Sequence, residues 1–257
     1  MKYFYFLIVI SSFLACRQPG EANVKKVDGP NQFPKAITEV FKAHGGLALW
    51  YNMRSLEFEI QKQDQNELTI TDLKSRKSFV DLPNHSIGYN GTKVWLLNKD
   101  TVAYKGNAKF YHNLMFYFFA MPFVLADDGI IYSEVKPLEF EGKQYPGIKI
   151  TYSSGVGESP DDEYVLYFDP KTNQMVWLAY TVTYFSKEKS KTYHFIKYDS
   201  WQSVDGLKVP KTLVWFNYEN NLPTTERNRL EFTEVKFSET PPKATVFEKP
   251  EDAAFVD

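Results

Sequence analysis

From Arg54 onward, apolar and polar residues alternate with a period of two. Leu56, Phe58 and Ile60 face one side, and Glu57, Glu59 and Gln61 face the other. That pattern predicts a strand with one dry and one wet face. Further strands are expected at 68–73, 78–82 and 93–97, with Asn90-Gly91 as a hairpin turn. After an interruption they resume at 130–135, 147–152 and 163–168. Three long ones follow at 175–185, 192–204 and 207–218, the last two joined by Asp205-Gly206. A final strand over 229–237 changes apolar phase between Phe232 and Val235, which predicts a bulge. Ahead of the strands, Ala36, Ile37, Val40 and Phe41 recur at helical spacing behind Pro34, so the folded domain is expected to start near Phe33. His44-Gly45-Gly46 reads as a helix stop, and Leu47, Leu49, Trp50 and Met53 as a second short helix.

The interruption is 110–128, FYHNLMFYFFAMPFVLADD. It is too long for an ordinary strand and short for a membrane span. Its apolar side chains fall on every face of a helical projection, which predicts a largely buried helix. Two readings are open: a plain core helix, or a helix closing an apolar concavity with some rings against a ligand. The strand at 175–185 is aromatic on both faces, with Trp177 and Phe185 opposite Leu178, Tyr180 and Tyr184. Two apolar faces need cover on both sides or a cavity on one. The expected fold is therefore mainly β with few helices, an antiparallel sheet curled around a buried aromatic helix. Candidate ligand-lining residues are Phe116, Phe119, Phe123, Trp177, Tyr180 and Trp215, all equally compatible with solid core.

Composition agrees with this picture. The 257 residues include 21 Phe and 17 Tyr, an aromatic share of 17% that favours strands. A formal charge of −2 supplies no basic excess for nucleic acid.

The first residues, MKYFYFLIVISSFLAC, carry Lys2 ahead of an apolar run too short to span a bilayer comfortably. Cys16 is the only cysteine, so it has no intramolecular disulfide partner. Leu14-Ala15-Cys16 resembles the lipobox of a bacterial lipoprotein signal, with Phe13 where Leu is usual. The resemblance implies a signal peptide over 1–15, acyl chains on Cys16, and attachment to the membrane through them. Residues 16–31, with Pro19, Gly20, Gly29 and Pro30, read as a tether, and 32–257 as one domain. Arg17 after the cysteine resembles an outer-membrane address facing the periplasm.

Catalytic patterns are sparse. His44, His85, His112 and His194 are far apart in sequence and show no metal-ligand spacing. Gly155-Val156-Gly157 lacks the strand-to-helix context of a dinucleotide site. Asp161, Asp162 and Glu163, like Asp127-Asp128, suit either calcium or, more simply, a solvated turn. No cofactor and no enzyme activity are expected.

The order of these parts, with the segments NLMFYFFAMPFVLAD, TVTYF and KYDSWQSVDGLKVPK, resembles an uncharacterised family of bacterial envelope lipoproteins. That family is similar in fold to the LolA-like lipoprotein carriers, half-barrels whose concave face is closed by helices and holds acyl chains. The resemblance implies a lipid or other apolar ligand, and it names no protein partner; the charge balance already speaks against nucleic acid. The alternative is a structural or interaction lipoprotein of an envelope complex, its aromatic core solid.

Overall fold

The computed structural model describes residues 33–63, 65–153, 161–186 and 188–256. The signal-like segment, Cys16, the tether and Gly155-Val156-Gly157 lie outside the described residues. Phe33–Asp257 forms a unit of its own.

The helical spacing behind Pro34 produces α1 (Lys35–Ala43), and α2 (Leu47–Asn52) follows the glycine pair. Alternation then builds β1 (Ser55–Ile60), β2 (Glu67–Asp72), β3 (Ser78–Asp81), β4 (His85–Tyr89) and β5 (Val94–Asn98). Beyond the aromatic stretch come β6 (Ile130–Phe140), β7 (Lys143–Tyr152), β8 (Tyr164–Phe168), β9 (Met175–Tyr180) and β10 (His194–Val204). β11 (Leu207–Glu219), β12 (Leu222–Ser238) and the two-residue β13 (Ala254–Phe255) complete the set. All pair antiparallel in one curled, unclosed sheet, ordered β13-β5-β4-β3-β2-β1-β12-β11-β10-β9-β8-β7-β6. The expected mainly β fold, a curled sheet with one face covered by helices, is the fold observed.

The main core lies between one face of this sheet and the helices. Ile37, Val40 and Phe41 of α1, Trp50 of α2 and Phe119 and Phe123 of the aromatic stretch meet Leu56, Phe58, Leu213 and Phe232 there. The other face carries a second, smaller core. Trp177 and Phe216 sit 4.8 Å apart there, and Phe140 at the end of β6 packs edge-on against both.

His44 closes α1, donating from Nδ1 to the Val40 carbonyl at 2.9 Å. Its ring is buried against Trp201 and Phe123, and its carbonyl accepts from Lys208 N–H at 2.9 Å. Gly45, at φ +105°, abuts the β10–β11 turn so closely that a Cβ would lie 2.5 Å from the Gly206 carbonyl oxygen. The helix stop is therefore also a long-range clasp.

The expected bulge is present. Pairing of β1 with β12 shifts between Glu57 and Glu59, opposite Glu234 at φ +49°. Four expectations need correction. The aromatic stretch is not one helix but α3 (Ala108–Tyr111), α4 (Leu114–Phe119) and a 3-10 turn (Phe123–Ala126), since Asn113 and a cis Pro122 break it. β9 ends at Tyr180, leaving Tyr184 and Phe185 in a loop. There the backbone turns to bond Thr181 and Thr183 to Glu163 and Asp162 instead. β4 lies where no strand was expected; its Gly88 sits under the Trp95 ring, where a Cβ would come within 2.2 Å. β12 begins seven residues earlier than its apolar pattern, through an exposed polar half.

Candidate functional site

A broken helix leaves backbone carbonyls without intrahelical partners, and these must be satisfied elsewhere. Tyrosine hydroxyls do this along the aromatic stretch. Tyr198 donates to the Phe118 carbonyl at 2.7 Å, Tyr132 to that of Leu125, and Tyr51 to that of Ala126 at 3.5 Å. At its start, the Asn107 side chain caps α3 by accepting from Phe110 N–H at 2.9 Å. The Tyr111 hydroxyl then reaches both oxygens of the buried Glu67 at 2.8 Å. Burial raises the Glu67 carboxyl above its ordinary range, and the Tyr111 bond partly offsets this.

Held in this way, the stretch has two faces. Phe116, Phe119 and Phe123 point into the core, Phe119 stacked on Phe58 at 4.6 Å and Phe123 on Trp50 at 4.8 Å. Leu114, Tyr117, Phe118, Met121 and Val124, spaced by three and four residues, line a cavity of about 400 Å³. Tyr152 of β7, Tyr164 of β8 and Tyr184 from the loop after β9 line it as well. Phe110 completes the mouth, 5.0 Å from both Tyr184 and Phe185. The volume falls in the range of small-molecule sites, roughly 300–1,000 Å³.

Charged groups also line the cavity. The turn between β2 and β3 is fixed by Asp72, which accepts from Lys74 and Ser75 N–H at 2.9 Å, and it carries Arg76 at φ +59°. Arg76 Nη2 reaches both oxygens of Asp127 at 2.8 Å, and its guanidinium lies over the Phe116 ring. Burial pushes the Asp127 carboxyl above its ordinary value despite Arg76. Asp162, 8% exposed, accepts from Thr183 N–H at 2.6 Å, and burial raises it too. Asp128 and His112 also line the cavity, His112 with Nδ1 3.2 Å from the Ser78 hydroxyl. Burial holds the Tyr152 and Tyr164 phenols far above their ordinary value, so they stay protonated. Among the described residues no three His, Cys, Asp or Glu side chains are grouped to hold a metal ion.

None of the six candidates named from sequence lines this cavity. Phe116, Phe119 and Phe123 lie behind its apolar wall. Tyr180 and Trp215, joined by a 3.3 Å hydrogen bond, lie behind Phe118 at 5.3 and 5.9 Å. Trp177 is in the second core, on the other face of the sheet. The lining residues missed include Leu114, Tyr117, Phe118, Met121 and Val124; no pattern in the sequence set them apart, because Phe116, Phe119 and Phe123 recur at the same spacing.

The model of a family of unknown function, DUF6503, matches residues 63–227, which include both the cavity-lining segment and the Arg76 turn. The chain belongs to the DUF6503 family. No curated protein matches it. Among solved structures, this DUF6503 protein is similar to a DUF1329 family protein from Desulfovibrio piger at 10% identity. The match covers 81% of this chain and 97% of that one, with a TM-score of 0.47. It is also similar to a LolA superfamily protein from Nitrosomonas europaea, at 9% identity over 82% and 96% of the two chains, TM-score 0.48. A domain described as an outer membrane lipoprotein-sorting protein, from Vibrio parahaemolyticus, matches at 8% identity over 76% and 88%, TM-score 0.37.

Proposed function

We propose that this protein is a lipid-anchored component of the bacterial cell envelope that binds a lipid or another apolar ligand without transforming it. The observation that carries this reading is the cavity of about 400 Å³, walled by Leu114, Tyr117, Phe118, Met121 and Val124. An apolar wall facing a space of that size favours an apolar guest, because filling it removes further apolar surface from water. Anchoring rests on Cys16 and the signal-like stretch before it, and Arg17 favours the outer membrane, facing the periplasm. No described helix is long and apolar enough to cross a membrane.

Native mass spectrometry tests the reading on protein purified gently from an envelope-bearing host. Adducts of lipid mass are expected, and Leu114→Trp, which directs bulk into the cavity from a partly exposed position, should remove them. Wild-type protein free of adducts that also takes up no added lipid would favour the second reading. That reading is an interaction lipoprotein of an envelope complex, and it draws on the solid packing of Phe116, Phe119 and Phe123, each at most 2% exposed.

A further inference from the structure

An apolar guest crosses water poorly, so the rim of its cavity governs how it enters and leaves. Among the described residues, large apolar side chains exposed to solvent are few, and two of them belong to this cavity. Tyr117, 37% exposed, lines it, and Phe185, the most exposed at 65%, sits at its mouth. The Phe185 ring lies 5.0 Å from Phe110 and 5.1 Å from Tyr184, both of which line the cavity.

The loop that presents Phe185 is pinned on its leading side. Thr181 N–H donates to the Glu163 carbonyl at 3.0 Å, and Thr183 N–H to the Asp162 carboxylate at 2.6 Å. A lone exposed phenylalanine is ordinary. One held outward against two further rings, at the mouth of an apolar cavity, extends that apolar surface to the outside and marks a contact.

The point where the chain enters the domain indicates what makes that contact. Phe33, its first described residue, packs edge-on against Tyr132 at 6.2 Å. The Tyr132 hydroxyl bonds the Leu125 carbonyl, next to the cavity-lining Val124. The chain therefore joins the domain close to the cavity. Residues 16–32 reach at most about 55–60 Å from Cys16, so an anchor there keeps the cavity near a bilayer. Charges of both signs flank the rim, Lys109 and Lys189 with Asp161 and Glu188, and Lys189 lies 3.8 Å from Asp161. Contact through the rings thus needs no anionic lipid.

We infer that the rim of Phe110, Tyr184 and Phe185 docks on a lipid bilayer, with the Phe185 ring at headgroup level and the cavity opening onto the membrane. The inference rests on the lipid-anchored, apolar-ligand reading of the same cavity.

Fluorescence quenching tests it. The full chain, purified from an envelope-bearing host, is reconstituted into phosphatidylcholine vesicles brominated near the headgroup end of their acyl chains. Phe185→Trp is compared with wild type and with Phe140→Trp, whose site is partly buried in the second core on the other face of the sheet. Circular dichroism confirms that each is folded. The added emission of Phe185→Trp should shift to the blue and be quenched by the brominated lipid, while that of Phe140→Trp and of wild type changes little. No quenching of Phe185→Trp, equal quenching of both variants, or failure to associate with the vesicles overturns the inference. Lipid adducts in native mass spectrometry report on the cavity separately. Adducts without quenching leave the apolar-ligand reading standing and remove the docking. Quenching without adducts keeps the docking surface and removes the ligand, and absence of both removes both.

Discussion

Arg76 Nη2 lies 2.8 Å from both carboxylate oxygens of Asp127, tying the β2–β3 turn to the end of the aromatic stretch 51 residues away. The contact forms part of the cavity wall, so its loss should be felt in stability and in ligand uptake. Both side chains remain about a third exposed, at 27% and 38%, which places the pair nearer a surface ion pair than a buried one. Arg76→Ala is expected to lower unfolding free energy by about 1 kcal/mol in urea denaturation. The same substitution should weaken binding of an apolar dye.

The Phe118 carbonyl has a buried partner in the Tyr198 hydroxyl at 2.7 Å. Tyr198→Phe keeps the ring and removes the donor, leaving a buried acceptor unsatisfied. Thermal or urea unfolding should show a loss of roughly 1–3 kcal/mol. A loss below a few tenths of a kcal/mol would mean that the hydroxyl does not hold the segment.

His44 gives stability a pH dependence with a definite sign. Burial lowers its pKa from 6.5 to about 4, since a proton added at Nε2 finds no described acceptor. The unfolded chain then binds the proton more tightly. The contribution is full above about pH 6.5, falls on acidification toward about pH 4 and is flat below, a total on the order of 3 kcal/mol. Glu67, Asp127 and Asp162 run the other way, because burial raises them and the folded state binds their protons more tightly. The difference between wild type and His44→Gln cancels those carboxyls. Plotted against pH, it should rise between about 4 and 6.5; a flat difference would contradict a buried neutral imidazole.

Gly45 meets the Gly206 carbonyl where no side chain fits, at a φ that disfavours L residues. Gly45→Ala should cost about 2–3 kcal/mol, detectable as a lowered midpoint in thermal unfolding. Gly46, with open space around its missing Cβ, should tolerate alanine better, at the cost of its left-handed φ alone.

Local features were legible in the sequence because local chemistry determines them. Pro34 and the 37/40/41 spacing produced α1, alternation at 56, 58 and 60 produced β1, and the broken phase near Val235 marked the bulge at Glu234. Alternation also separated Trp177 from Leu178 and Tyr180, but it carries no information on which face the helices cover. The aromatic stretch hid the site for a related reason. With apolar residues on every side, hydrophobicity alone cannot tell the core face of Phe116, Phe119 and Phe123 from the cavity face of Leu114, Phe118 and Met121. Arg76 and Asp127 are ordinary turn charges until the sheet brings them together.

The central claim, that the cavity beside Leu114 and Phe118 holds an apolar ligand, is tested most directly by titrating dodecanol against wild type, Leu114→Trp and Trp177→Phe. Circular dichroism confirms that each is folded. Saturable binding to wild type, a loss of about tenfold or more in Leu114→Trp, and unchanged affinity in Trp177→Phe are the results predicted. Folded Leu114→Trp that binds as tightly as wild type, or wild type that does not bind, would contradict it.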